Sequence, residues 1–171
     1  MYNILLVNIK ISTQLNNDAS INKNYINAVI ILNPASGPGD AKAKLEKVKD
    51  IKKYANELGW TGELTETTLK KTATAIAEKA ISEGKKHIVV CGGDGTVMEV
   101  LGVAANKDSV VGVVPLGTGN LFAQNLHISS DIKEAMHTAL KGKILQIDLG
   151  KANGTFFSIM TGIGLDAEML R

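Results

Sequence analysis

Gly92-Gly93-Asp94-Gly95-Thr96 is the part of this 171-residue chain richest in chemistry. The β-branched run from Ile88 leads into it, and Val97, Leu101, Ala104 and Ala105 follow at helical spacing. The segment therefore reads as a strand, a glycine loop and a helix start. Glycines let backbone N–H groups approach an anion closely, and the helix N-terminus behind them favours negative charge. A polyphosphate suits that geometry. Asp94 is the oddity, because a carboxylate beside phosphates repels them unless a metal or a proton transfer involves it. Glu99 lies one helical turn beyond Thr96, so both can face one crevice; an acid there also suits the helix dipole.

Two more glycine-bearing loops follow apolar runs: Asn33-Pro34-Ala35-Ser36-Gly37-Pro38-Gly39 after Ala28–Leu32, and Pro115-Leu116-Gly117-Thr118-Gly119-Asn120 after Val110–Val114. Their convergence with the Gly92–Thr96 loop on one rim is the central expectation. No Gly-x-x-x-x-Gly-Lys-Ser/Thr occurs, which excludes a P-loop, and no Gly-x-Gly-x-x-Gly opens the first helix, which argues against a dinucleotide dehydrogenase.

The elements that must position these loops can be read from periodicity. Leu45, Val48, Ile51, Ala55 and Leu58 form a helical stripe closed by Gly59, and Gly62–Thr67 reads as a short strand. Ala73, Ile76, Ala77, Ala80 and Ile81 form a second stripe ended by Gly84, and Asp131 with Glu134 opens a further helix in capping-box fashion. Strands and helices alternate, which predicts a doubly wound α/β domain with a mostly parallel sheet over 27–142. Ligands of such sheets bind outside the carboxyl ends of the strands. Residues 1–26 read as a flexible extension, with Ile4–Val7 at most a short edge strand. From 143 the pattern changes: two apolar runs flank Asn153-Gly154 as a hairpin, the expected start of a second, all-β unit over 143–171.

Composition narrows the class. A hydrophobic content of 44% fits a globular protein, and aromatics at 4% leave the core to aliphatics. A net charge of +2 gives no argument for nucleic acid. The single Cys91 excludes an intrachain disulfide and suits the cytoplasm. The early run Ile4–Val7 is far too short to span a bilayer. His87, His127 and His137 show no ligand spacing, and the lysines from Lys42 to Lys53 read as a solvated helix face that could also attract anionic lipid.

The set Asn33-Pro34-x-Ser36-Gly37, Gly92-Gly93-Asp94-Gly95-Thr96-x-x-Glu99-Val100 and Pro115-Leu116-Gly117-Thr118-Gly119-Asn120-x-Phe122-Ala123 resembles the diacylglycerol kinase catalytic domain. That family takes in bacterial lipid kinases and sphingosine kinases and is distantly related to NAD kinases. The resemblance covers Asn27 to Arg171. It implies an ATP- and Mg²⁺-dependent phosphate transfer to a lipid hydroxyl such as that of diacylglycerol, with transient contact at a membrane surface and no nucleic-acid partner. It also implies nucleotide contacts from Asn33, Pro34, Ser36, Gly37, Thr65, Gly92, Gly93, Asp94, Gly95, Thr96, Glu99, Gly117 and Thr118, with Asp94 as catalytic base or metal ligand. Gly162-Ile-Gly-Leu-Asp166-Ala resembles the family's early second-domain motif, which makes Asp166 a lipid-headgroup candidate.

Departures bear on activity. Met98 stands where relatives usually have Asn and cannot hydrogen-bond as an amide does, and Leu121 stands where they usually have an acid. Only the first strands of the family's second domain would be present, so the chain reads as a shortened lipid kinase. An ATP-binding remnant unable to complete transfer is the rival, and an NAD-kinase-like enzyme a weaker one. Apolar side chains on a hairpin without its domain would also drive self-association.

Overall fold

A computed structural model of the chain describes residues 4–13 and 27–158. Its elements are β1 (Ile4–Thr13), β2 (Val29–Leu32), α1 (Ala41–Glu57), β3 (Leu64–Glu66), α2 (Ala73–Ser82), β4 (His87–Gly92), α3 (Asp94–Ala104), β5 (Val110–Pro115), α4 (Leu121–Asn125), α5 (Ile132–Lys141), β6 (Lys143–Ala152) and β7 (Thr155–Phe157). The strands form one seven-stranded sheet in the order β3-β2-β4-β5-β1-β6-β7. Neighbours from β3 to β1 are parallel, while β6 and β7 are antiparallel additions at one side.

Continuous apolar runs make the central strands. Every residue of β2, β4 and β5 is buried, as a parallel strand covered on both faces requires. α1 packs on α5, and α2 packs on α3. The chain moves from β2 outward to β3 and then back across to β4. With right-handed crossovers, that reversal sets α1 and α2 on opposite faces and leaves a crevice between the carboxyl ends of β2 and β4.

Local signals place the helices. Val48, Ile51 and Ala55 are the buried stripe of α1, while Leu45 is 55% exposed. Asp40, Thr72 and Asp131 cap α1, α2 and α5 by accepting N–H groups of Ala43, Ala75 and Glu134. The expected capping box at α5 is half formed: the Asp131 N–H donates to the Ser129 hydroxyl. Gly59 and Gly84 leave their helices at φ +79° and +78°, in the left-handed region.

Two expectations change. Ile4–Thr13 is no flexible appendage: it is a ten-residue strand inside the sheet, parallel to β5 and paired with β6 along its whole length. Val7, Ile9 and Ile11 are buried on its core face. The hairpin at Asn153-Gly154 forms with both turn residues at positive φ, but it extends this same sheet through β1.

Candidate functional site

Asn33 stands where β2 ends, at the crevice. Its N–H donates to the Cys91 carbonyl at 2.9 Å, tying the carboxyl ends of β2 and β4. Its side-chain oxygen accepts the Ala35 N–H at 3.0 Å and its carbonyl accepts the Ser36 N–H at 3.1 Å, so the loop turns on the Asn33 side chain. Its Nδ2 donates to the Thr96 hydroxyl at 2.9 Å. The Ser36 hydroxyl accepts the Gly93 N–H at 3.2 Å, a second tie between the Asn33 and Gly92–Thr96 loops.

The third loop closes against both. Gly37, at φ +77°, lies so near the Leu116 carbonyl that a Cβ there would overlap its oxygen. A Cβ on Gly117 would stand 2.7 Å from the Gly93 Cα, so these backbones touch where no side chain fits. Asn120, left-handed at φ +49°, shapes the loop by accepting the Gly117 N–H and donating to the Gly117 carbonyl. All three glycine loops therefore meet at one rim.

α3 starts immediately behind the rim. Gly93 occupies its N-cap position with no side-chain cap bond, so the first-turn N–H groups are left without an intrahelical acceptor. Asp94 has a different task. Its two carboxylate oxygens accept the N–H groups of Leu121 and Phe122, each at 3.1 Å, so it caps α4 and fastens the third loop to α3. Glu99 reaches sideways: one of its oxygens accepts the N–H and hydroxyl of Thr74 in the first turn of α2.

A cleft of about 500 Å³ opens beside the rim. Asn33, Pro34, Thr96 and Glu99 line one side, and Thr67, Thr68, Leu69 and Thr72 of the β3–α2 connection line the other. The connection is anchored by the Thr67 N–H donating to the Leu32 carbonyl. Ser36, Gly37, Gly92, Gly93 and Gly117 build the junction behind the cleft. Gly95, Met98 and Glu99 line a separate groove on the α2–α3 side. Thr65 stands apart on β3, its hydroxyl donating to Glu63, and Thr118 is exposed at its loop tip. Asp166 lies outside the described residues.

Some members of this surroundings escaped sequence reasoning. Thr67 and Thr68 neighbour the expected Thr65, and the threonine-rich run was the available signal. Lys44 and Lys47 donate to the carbonyls of Ala35 and Pro38. Two lysines one turn apart just after a glycine loop were the clue; they bring positive charge to the first loop.

Cys91 is fully buried, and burial raises its thiol pKa. It packs at the end of β4 and stays protonated. Among the described residues no cluster of His, Cys, Asp or Glu is arranged to hold a metal ion. No helix among them is long and apolar enough to cross a membrane.

Known proteins share this arrangement. Residues 27–152 match the family model of the diacylglycerol kinase catalytic domain. A diacylglycerol kinase of Staphylococcus carnosus is 35% identical over 144 residues, 83% of this chain and 46% of that one. A Staphylococcus aureus diacylglycerol kinase is 35% identical over 132 residues, 76% of this chain and 41% of its own length. The crystal structure of a diacylglycerol kinase from Bacillus anthracis superposes with a TM-score of 0.67 at 27% identity, covering 77% of this chain and 45% of that one. The chain spans less than half the length of these relatives. With three glycine loops on one rim and a family match across most of the sheet, the chain belongs to the diacylglycerol kinase catalytic domain family.

Proposed function

We propose that the chain binds ATP with magnesium in the cleft beside Asn33 and Thr96 and transfers the γ-phosphate to a lipid hydroxyl. The relatives' names point to diacylglycerol as acceptor. The single observation carrying this reading is the meeting of the three glycine loops at the carboxyl ends of β2, β4 and β5, where open α/β sheets bind ligands.

Phosphoryl transfer depends on positioning and charge stabilisation. The uncapped N–H groups of α3 would receive the β- and γ-phosphates. Asn33 holds the Thr96 hydroxyl in place for them, and the Lys44 and Lys47 ammonium groups add positive charge beside the first loop. Ser36, Gly37, Gly92, Gly93 and Gly117 would act through their backbone, and Thr118 would close from the third loop. Pro34 and Leu69 offer apolar walls to the base. Thr65 would contribute only by a shift of β3, since its hydroxyl is held by Glu63.

The described residues do not build a cage for a resident Mg²⁺, because both Asp94 oxygens already hold α4. Magnesium would instead arrive on the nucleotide, held by its phosphates. Asp94 is then first a positioning residue. A carboxylate has about four acceptor sites, and those not used by Leu121 and Phe122 are the ones left for an acceptor hydroxyl. Residues 27–142 would carry the nucleotide, and the strands from 143 would begin the acceptor side. A cytoplasmic chain touching the membrane surface transiently through its α1 lysines fits this reading.

The test pairs calorimetry using a non-hydrolysable ATP analogue, with and without Mg²⁺, with phosphate transfer from labelled ATP to diacylglycerol in mixed micelles. Magnesium-dependent binding and transfer abolished in Asp94→Ala are the expected results. No nucleotide uptake overturns the reading, and uptake without transfer reduces it to nucleotide binding.

A further inference from the structure

The β3–α2 connection, one wall of the cleft, is tied down on both sides of its turn. Before the turn, the Thr67 N–H donates to the Leu32 carbonyl at 2.8 Å. After it, one Glu99 oxygen accepts the N–H and the hydroxyl of Thr74, at 3.1 and 3.2 Å. We infer that Glu99 is a positioning residue for the base of the nucleotide. Through Thr74 it fixes the amino end of α2, and with it the turn that covers the base. This rests on the nucleotide-binding reading and gives Glu99 a task apart from the phosphates.

Charge explains why Glu99 turns sideways. A carboxylate aimed at phosphate oxygens would repel them. α2 has no acidic residue in its own first turn, and Glu99 supplies that negative charge from α3. Thr96, one turn earlier on α3, is held by Asn33 at the cleft floor. One helix therefore sets both the phosphate end and the base end of the cleft.

Between the two ties the backbone closes on itself. Thr68 and Lys71 exchange both backbone hydrogen bonds, which leaves Leu69 and Lys70 at the tip of the turn. Leu69 lines the cleft and is fully exposed. A leucine gains nothing beside phosphates and buries area against the face of a base. The Thr68 and Thr72 hydroxyls accept the N–H groups of Lys71 and Ala75. Each keeps its own hydrogen for a ring nitrogen or a ribose oxygen.

The test compares two probes on the full chain by calorimetry with Mg²⁺: the ATP analogue, and inorganic tripolyphosphate, which has phosphates and no base. Thr74 does not line the cleft, so Thr74→Val can act on binding only through position. The ATP analogue should bind about tenfold more weakly to Glu99→Ala and to Leu69→Ala, and Thr74→Val should act in the same direction. Tripolyphosphate affinity should not change in any of the three. Glu99→Gln keeps an acceptor for Thr74 and should restore most of the analogue's affinity. Tripolyphosphate weakened as much as the analogue in Glu99→Ala puts the carboxylate at the phosphates or magnesium and overturns the inference. Unchanged analogue affinity in Glu99→Ala also overturns it, and leaves nucleotide binding standing. If the unsubstituted chain takes up neither probe, the nucleotide reading falls and takes the inference with it.

Discussion

Asn33 donates its amide hydrogen to the Thr96 hydroxyl across 2.9 Å, so the end of β2 and the first turn of α3 share one bond at the floor of the cleft. Thr96 is buried, and its side chain fits over Gly92, where a Cβ would stand 2.7 Å away. Thr96→Val keeps the shape and removes the acceptor. An unsatisfied donor costs about 1–3 kcal/mol. The variant should lose stability in that range in urea unfolding, and its affinity for the ATP analogue should fall about tenfold.

Asp94 offers a separate prediction because its task is visible without ligand. Asp94→Asn keeps one carbonyl acceptor and loses the other along with the charge. Hydrogen bonds to charged groups are worth about 1.5–3 kcal/mol. The Leu121 and Phe122 amides should exchange with deuterium about tenfold faster, read by NMR. Unchanged exchange would detach Asp94 from the third loop.

Gly37→Ala combines a strained backbone with a blocked approach. An L side chain at φ +77° and a Cβ against the Leu116 carbonyl both resist the native arrangement. Strain of that kind costs about 1–3 kcal/mol before the clash is added. A thermal melt should show the loss, and nucleotide binding should weaken more than in Gly84→Ala, where a Cβ meets nothing within 4 Å.

His87 sets a pH dependence. It is 3% exposed at the start of β4, and burial lowers its pKa to about 4, against a smaller opposing effect of a hydrogen bond with the Ala139 backbone. The unfolded chain takes up a proton near pH 6.5 while the folded chain stays neutral, so stability falls as pH drops from about 6.5 to about 4. Between pH 7.5 and pH 5 the loss should be about 2 kcal/mol. His87→Leu should flatten that stretch of the profile in denaturant titrations.

Ile11→Ala tests the place of β1. In an appendage this change would be silent. In a fully buried sheet position it should cost about 2–5 kcal/mol, measured by chemical unfolding.

β2, β4 and β5 were legible because a strand covered on both faces must be apolar at every position, and the glycine loops follow them at once. β1 was not. Its outer face carries Asn8 and Lys10, Ser12 and Thr13 are polar though buried, and a polar run follows where a helix would have marked a parallel strand. What makes it a strand is β6, and no local pattern announces a partner so distant in sequence. The rim was foreseeable from loop spacing, since strands of a parallel sheet deliver their loops to one edge. The course of the β3–α2 connection was not, because it hangs on one backbone bond from Thr67 to Leu32. The turning of Asp94 toward α4 depends equally on where α4 begins, which a five-residue helix hardly signals.

The pairing of Ile4 with Ala152 carries a burden for biosynthesis. β1 leaves the ribosome well before β6, and must wait for nearly the whole described chain before its antiparallel neighbour exists. Until then an amphipathic ribbon with open edges is exposed to the cell, and contacts this non-local slow folding and invite aggregation. A pulse-labelled nascent chain should therefore remain protease-sensitive, and bound by chaperones, until β6 has emerged.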